Sequence, residues 1–420
     1  MSKRSLSKRF ITLLGSVAVA TLLMAEMSWG EEAPAGDDQI DEAPLAGTET
    51  EVTFVPNEIV VKTNAGGYQT RAVDAQSLAA VKQAATEVDA QEPWVEEAGP
   101  NYAYAPEFVP NDYHYDLQDW LRVIKAPSAW NDSRGVTGDT NAGIRIGVVD
   151  TGWQVNHPDL VNKDAGQWDF VAGDAVAHSA RYHGTSVAGI AAADTNNTEG
   201  VASIGFDARF VMARACTNVC LTENTAPAID WLAQTKGVKI INLSFGALYP
   251  GGTTDQLLED AIQQAQAAGA LVVASAGDTG DYTDNDPSTD APAHYPSCFD
   301  GVLGIGSVNE IGTKADFSNT GSSCVDLVAP GVRVLTTFNE YDPTLNAARY
   351  AYVYGTSFSS PQVAGTAALI RARSPLLTNV QIANRLQNQA TDVGDTGKDD
   401  LYGYGLLNAR CSVNPANDGC

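Results

Sequence analysis

Three residues that lie far apart along the chain have the types that nucleophilic catalysis by a serine requires. Asp150 ends the apolar run I-R-I-G-V-V-D, His183 opens the small-residue segment H-G-T-S-V-A-G-I-A-A-A, and Ser357 lies in Y-G-T-S-F-S-S-P-Q-V-A-G. A serine hydroxyl attacks when an imidazole accepts its proton, and a carboxylate orients that imidazole. Each residue alone also suits a structural role, so the chemistry depends on a fold that brings them together.

Short apolar runs, each bounded by turn residues, predict the strands that would position these residues. Such strands alternate with helical patterns, which indicates an α/β fold: a three-layer sandwich with a mainly parallel central sheet. Ligands of such sheets bind beyond the carboxyl ends of the strands, where Asp150, Ser244 and Asp278 fall. The predicted strands are 144–150, 208–215, 238–244, 270–276, 302–308 and 325–330, and the predicted helices are 184–193, 226–236, 254–268, 359–373 and 379–389.

The residues around Ser357 predict that it lies at the start of a helix. Gly355 permits a tight turn, and Pro361 suits a first helical turn before an apolar run. Backbone N–H groups at a helix N-terminus have no intrahelical partner. This is a favourable position for a nucleophile whose tetrahedral intermediate carries an oxyanion.

The chain order Asp150…His183…Ser357 is that of subtilisin. The blocks V-V-D-T-G, H-G-T-S-V-A-G and G-T-S-F-S-S-P-Q-V-A-G resemble the signature blocks of the subtilase family, over about residues 110–409. The resemblance implies a subtilisin-like fold and a serine endopeptidase. Ser357 would then be the nucleophile, His183 the general base and later the general acid, and Asp150 the group that orients His183.

One position departs from the family where the oxyanion is stabilised. The segment A-G-D-T-G places Asp278 where the family carries an Asn whose amide donates to the oxyanion. An ionised carboxylate only accepts hydrogen bonds. Three interpretations follow: a protonated Asp278 still donates, the Ser357 backbone N–H and the Thr356 hydroxyl replace it, or the protein is a catalytically impaired subtilase-fold binding protein.

The resemblance also implies the walls of the pocket for P1, the substrate side chain just before the scissile bond. Ser244, Phe245 and Gly246 would pair with an extended peptide, and Ser275, Ala276 and Gly277 would form the opposite wall. Asp290 aligns with the foot of the pocket, where an acid would favour Lys or Arg unless the loop turns it to solvent. The expected self-processing region, 101–110, contains no basic residue, which favours an apolar or small P1 instead.

A structural Ca²⁺ is the cofactor that the resemblance implies. The side chains of Asp159 and Asn197 would bind it together with the backbone carbonyls of Thr195, Glu199 and Val201. Such oxygen ligands suit Ca²⁺. An ordinary Asn/Gly turn is the alternative, and the acidic segment 281–290 is a second calcium candidate. No His/Cys grouping indicates zinc or iron.

The N-terminal sequence predicts export. Basic residues precede an apolar run and the small-x-small site S-W-G, so residues 1–30 read as a secretory signal peptide rather than a retained anchor. We therefore expect a secreted protein, extracellular or periplasmic, with no membrane contact after cleavage. The domains would be the signal peptide 1–30, an acidic disordered linker 31–51, a shortened subtilase-type α+β propeptide 52–107 (inhibitor and chaperone), a catalytic domain 110–410 and a Cys-bounded tail 411–420.

An exported chain meets oxidising conditions, so its six cysteines predict disulfide bonds. Fifteen connectivities are possible from sequence alone. Local spacing favours Cys216–Cys220 and Cys411–Cys420, which leaves Cys298–Cys324.

The net charge of −26 argues against nucleic-acid binding, because such a surface repels phosphate backbones. The expected partners are polypeptide substrates and the protein's own propeptide, and we expect a monomer. An esterase of the α/β-hydrolase class is disfavoured, because it would need a G-x-S-x-G motif and the order Ser…Asp…His.

Overall fold

The computed structural model describes residues 53–103, 108–137, 142–250, 253–284, 291–339, 349–416 and 420. The predicted signal peptide 1–30, the linker 31–51 and Asp290 lie outside these residues. Within the described part of the chain, no helix is both long and apolar enough to cross a membrane.

The secondary structure follows the predicted alternation of strands and helices. The strands are β1 (Thr53–Thr63), β2 (Tyr68–Ala72), β3 (Val95–Ala103), β4 (Val136–Thr137), β5 (Ala142–Gly143), β6 (Arg145–Asp150), β7 (Asp164–Asp169), β8 (Arg209–Arg214), β9 (Ile240–Leu243), β10 (Ala247–Tyr249), β11 (Leu271–Ser275), β12 (Ala293–Tyr295), β13 (Val302–Val308), β14 (Leu327–Pro330), β15 (Val334–Thr337) and β16 (Tyr350–Val353). The helices are α1 (Leu78–Gln91), α2 (Asp119–Val123), α3 (Ala126–Trp130), α4 (His183–Ala192), α5 (Thr222–Asp230), α6 (Gln256–Ala267), α7 (Ser360–Arg373), α8 (Asn379–Asn388) and α9 (Ala409–Val413).

A seven-stranded parallel sheet forms the centre of the fold, in the order β14-β13-β11-β9-β6-β8-β7. Successive side chains of β6 enter different cores. Val148 packs in one core with Val187 of α4 and Val363 of α7. Val149 packs in the other core with residues of α5 and α6. Because helices cover both faces, the sheet is the middle of three layers, which confirms the predicted fold class.

Residues 53–103 fold into a small α+β element. Its antiparallel sheet has the order β2-β1-β3, and α1 packs against it. Ile59 and Val61 of β1 share a core of their own with Val81 and Ala85 of α1. The Ser77 side chain caps α1 by accepting a hydrogen bond from the Ala80 N–H. Residues 53–103 therefore combine strands and a helix in one small fold.

The structure contains the three disulfide bonds that the spacing favoured: Cys216–Cys220, Cys298–Cys324 and Cys411–Cys420. Cys298 and Cys324 are 2% and 0% exposed, so their bond is part of the core.

Candidate active site

The carboxyl end of β6 carries Asp150 to the rim of the sheet, and α4 begins there with His183. Asp150 is 1% exposed, and its Oδ1 and Oδ2 lie 2.8 and 3.0 Å from Nδ1 of His183. The Thr151 N–H donates to the same Oδ1 over 2.6 Å. A carboxylate only accepts, so Nδ1 of His183 is the protonated nitrogen in these contacts and Nε2 is left as the acceptor. This tautomer is the one a general base needs.

The surroundings of His183 raise the pKa of its imidazole. Burial in the cleft lowers the pKa, but the charge and hydrogen bond of Asp150 and the charge of Asp278 outweigh that effect. The net pKa therefore lies above the usual 6.5. The imidazolium that forms when the ring accepts a proton is stabilised by two carboxylates.

Ser357 lies in a one-turn 3₁₀ segment, Thr356–Phe358, immediately before α7. Its hydroxyl donates to the Ser244 carbonyl over 3.2 Å, and the ring of the adjoining Phe358 lies 5.4 Å from that of His183. In return, the Ser244 hydroxyl donates to the Ser357 carbonyl over 2.7 Å. The turn that carries Ser357 thus lies against the start of α4 at the predicted helix start. The Ser357 proton is directed at Ser244 and not at His183.

Asp278 follows β11 and contacts the same turn. Its Oδ1 accepts hydrogen bonds from the backbone N–H and the hydroxyl of Thr356, both over 2.8 Å. The hydroxyl in turn accepts from the Gly277 N–H over 3.1 Å. The Thr356 hydroxyl proton is therefore engaged by Asp278 in this arrangement, which differs from the interpretation that made it an oxyanion donor. Gly355 is tightly constrained, because its φ is 136° and an added Cβ would lie 2.8 Å from Oδ2 of Asp278.

The predicted substrate walls lie in one cleft with the nucleophile. Phe245, Gly246, Ser275 and Gly277 line the space that Ser357 also lines. Ser244 has a different role from the others, since its buried hydroxyl holds the nucleophile turn. Ala276 is fully buried, and its carbonyl accepts from the Asn319 side chain over 2.9 Å.

Sequence reasoning missed one residue of this cleft, His294. It lines the same space as Ser357 and its ring touches both Gly246 and Gly277. The only local signal was its position directly before Tyr295-Pro296, and a single histidine in that context predicted nothing.

Some of the predicted calcium ligands contact one another in the structure. Oδ1 and Oδ2 of Asp159 accept hydrogen bonds from the Asn197 side chain and from the Val201 N–H, both over 2.8 Å. Glu199 contributes its N–H to Oδ1 of Asn197 over 2.7 Å. The Thr195 hydroxyl instead accepts from the Ser203 N–H over 2.8 Å.

Asp112, which the sequence analysis did not single out, is a second buried carboxylate beside this loop. Asp112 and Asp159 are 5% and 0% exposed. The pKa of Asp159 is raised to about 7. Burial is the main cause, the hydrogen bonds from Val201 and Asn197 oppose it, and the negative charges of Asp112 and Asp194 add to it. Buried like charges are costly without a cation. The loop thus has two buried carboxylates and an amide nearby, which are ligand types that suit Ca²⁺. The described residues hold no grouping of three or more acidic, His or Cys side chains suited to a metal.

Comparisons with known proteins agree with this geometry. A sequence profile of the subtilase family matches residues 141–405. The thermophilic serine proteinase of Bacillus sp. (strain AK1) is 35% identical over 324 residues, covering 76% of this chain and 73% of that protein. Thermitase from Thermoactinomyces vulgaris is 34% identical over 309 residues, covering 73% of this chain and 99% of thermitase. A solved protease structure from Pseudoalteromonas arctica PAMC 21717 matches with a TM-score of 0.62 and 27% identity, covering 74% of this chain and 100% of that one.

Proposed function

Because this chain belongs to the subtilase family of serine proteases, we propose that it is a secreted endopeptidase that cleaves polypeptides through an acyl-enzyme on Ser357. The observation that carries the proposal is the contact of His183 Nδ1 with both oxygens of Asp150, beside the turn that presents Ser357. The proteinase relatives favour this activity over the binding-protein alternative.

The proposed reaction begins with a rotation of the Ser357 hydroxyl away from the Ser244 carbonyl and towards Nε2 of His183. Nε2 accepts the proton as the oxygen attacks the peptide carbonyl, and Asp150 stabilises the resulting imidazolium. The imidazolium then protonates the departing amine, which leaves an acyl-enzyme. Water then gives a proton to the same imidazole as it attacks the ester. The imidazolium returns that proton to the Ser357 oxygen as the acid product leaves.

The oxyanion would be stabilised by the Ser357 backbone N–H. The hydrogen bonds from Thr356 go to Oδ1 of Asp278 and hold this carboxylate against the same turn. Its negative charge also acts on His183, and a carboxylate only accepts hydrogen bonds, so the backbone N–H is the donor that we propose.

Substrate would bind as an added strand along residues 244–246, with residues 275–277 as the opposite wall. The common lining of these walls and Ser357 supports that placement. Asp290 stays a prediction as a determinant of P1 preference.

Maturation is the second part of the proposal. Residues 53–103 have a core and a sheet of their own, as expected of a propeptide that folds beside the catalytic domain. We propose that export removes the signal peptide, that self-cleavage leaves a mature enzyme that begins within residues 105–112, and that the enzyme acts as a monomer.

We also propose a structural Ca²⁺ bound by Asp159 and Asn197, with Asp112 as a further carboxylate and backbone carbonyls of the 195–201 loop. When bound, the ion would supply the positive charge that these buried carboxylates lack. Its expected effect is on stability rather than on the chemical step.

Expression of the full chain in an exporting host, followed by N-terminal sequencing and labelling with a fluorophosphonate, tests the enzyme and its maturation together. We expect a product that begins within residues 105–112 and one mole of label per mole of protein.

The matched variants are Ser357→Ala and Ser323→Ala, the second at an exposed serine. Ser357→Ala should remove labelling and leave the precursor uncut, whereas Ser323→Ala should behave as wild type. Labelling that survives Ser357→Ala would show that another residue is the nucleophile.

A further inference from the structure

The imidazole of His294 lies between the two walls of the cleft. A Cβ added to Gly246 would lie 2.3 Å from Cε1 and 2.7 Å from Nε2 of this ring. A Cβ added to Gly277 would lie 2.7 Å from the same Nε2. One edge of the ring is therefore in van der Waals contact with both glycines, and only glycine fits at either position while the ring is present.

Neighbouring residues hold the ring in this place. His294 lies in β12, where its backbone is paired with Leu248 of β10. The Ser297 hydroxyl donates to the His294 carbonyl over 2.7 Å, and its oxygen lies 3.0 Å from Nδ1. The His294 N–H and carbonyl both contact Cys298, which the disulfide bond joins to Cys324. The side chain is only 5% exposed, so it has little room to swing away.

These contacts also define the ring's protonation. Because the Ser297 proton goes to the His294 carbonyl, the Ser297 oxygen accepts from Nδ1–H, and Nε2 is the lone-pair acceptor at the edge between the glycines. Burial lowers the pKa of His294 to about 4, so the ring is uncharged at neutral pH. The ring therefore carries no charge that could pair with an acidic or basic substrate side chain. Its position also leaves no space for a long side chain.

We propose that His294 is the floor of the P1 pocket and restricts this protease to small P1 side chains, chiefly alanine and serine. The inference rests on the proposed assignment of residues 244–246 and 275–277 as the pocket walls. The ring occupies the depth that a Phe, Leu or Lys side chain would need, while Nε2 can accept a hydrogen bond from a serine hydroxyl.

The sequence of the expected self-cleavage region is consistent with this restriction. Residues 101–110 read N-Y-A-Y-A-P-E-F-V-P and contain Ala103 and Ala105 but no basic residue. The region thus contains small residues that the proposed pocket could accept and no basic one.

The test measures kcat/KM for peptide p-nitroanilides that are identical except at P1, which is Ala, Ser, Leu, Phe or Lys. For the wild type we expect kcat/KM for Ala and Ser to exceed that for Phe, Leu and Lys by at least about tenfold.

His294→Gly should raise the Phe-to-Ala ratio of kcat/KM by about 10–200-fold, because it opens the floor of the pocket. His294→Phe keeps a ring but no acceptor, so it should keep Ala above Phe and lower kcat/KM for Ser relative to Ala. His178→Gly, at an exposed histidine, should match the wild type.

Fluorophosphonate labelling separates this proposal from the proposed function. If the wild type does not label, the catalytic assignment fails. If it labels but cleaves after Phe or Leu faster than after Ala, the floor assignment is overturned without any variant. An unchanged Phe-to-Ala ratio in a fully labelled His294→Gly protein would overturn it too. If His294→Gly does not fold, the wild-type profile and His294→Phe still decide the question.

Discussion

The carboxylate of Asp278 accepts two hydrogen bonds from one residue, Thr356, through its backbone N–H and its hydroxyl. Both go to Oδ1, so a single oxygen ties the loop after β11 to the turn that presents Ser357. The same carboxylate is close enough to His183 to raise the pKa of the imidazole. One acidic side chain thus affects both the oxyanion position and the general base.

Asp278→Asn should increase kcat. The Asn oxygen can accept both bonds from Thr356, while its amide donates to the oxyanion. The carboxylate of Asp278 only accepts hydrogen bonds. One oxyanion donor is worth about 10²–10³ in kcat, so we expect kcat of the variant, measured between pH 5 and 9, to exceed that of the wild type by about 10².

Asp316→Asn is the control for this comparison, because it removes the same charge from an exposed position. It should leave kcat unchanged across the range. If Asp278→Asn gives the rate and pH profile of the wild type, Asp278 does not contact the oxyanion.

Asp278→Asn should also shift the acid limb of kcat/KM to lower pH. The general base works as neutral imidazole, so activity is lost as pH falls through the pKa of His183. Asp278 contributes to the elevation of that pKa, and a neutral Asn removes its contribution. The limb, measured between pH 5 and 8 at constant ionic strength, should move downward in Asp278→Asn and stay in place in Asp316→Asn. An upward shift or no shift would show that the charge of Asp278 does not reach the imidazole.

The strands that carry the site could be predicted because a parallel sheet is buried on both faces. Its strands read as continuous apolar runs, and all six predicted strands correspond to strands of the central sheet. The seventh, β7, was missed. Its sequence D-A-G-Q-W-D has no such run, because most of its residues are only partly buried, whereas β14 at the other edge is buried throughout.

The site was predicted where local sequence decides position and missed where distant segments meet. Asp150 and His183 end a strand and begin a helix, so the chain order was enough to expect their pairing. His294 matters because two glycines from other loops close around it. Asp112 matters because the 195–201 loop buries it, since the Asn196 N–H donates to its carboxylate. No local pattern encodes either contact.

Removal of the Cys298–Cys324 bond should destabilise the protein more than removal of Cys411–Cys420. The two bonds span 26 and 9 residues, and loop-closure entropy gives them about 3.5 and about 2.6 kcal/mol. The loss of stability should be larger still for Cys298–Cys324, because the serines that replace these residues would lie in the core. Guanidinium unfolding of the two double Cys→Ser variants, both in a Ser357→Ala background to prevent self-digestion, measures the difference. Equal losses would mean that the buried bond contributes no more than the terminal one.

Calcium should raise the melting temperature, and EDTA should lower it. At a free concentration of about 100 times Kd, one ion adds about 2.7 kcal/mol. At about 2–4 °C per kcal/mol this is a shift of about 5–10 °C. The measurement is thermal unfolding in the Ser357→Ala background, with calcium and with EDTA. Asp159→Asn and Asp112→Asn should each reduce the shift, because each removes a carboxylate from the proposed site.

Asp316→Asn should keep the full calcium-dependent shift, which separates the site from a general effect of surface charge. A melting temperature that ignores both calcium and EDTA would contradict the site. In that case the bonds from Asn197 and Val201 to Asp159 would be sufficient to hold the loop. A shift that persists in Asp159→Asn and Asp112→Asn would place the ion elsewhere, and the acidic segment 281–290 would be the next position to test.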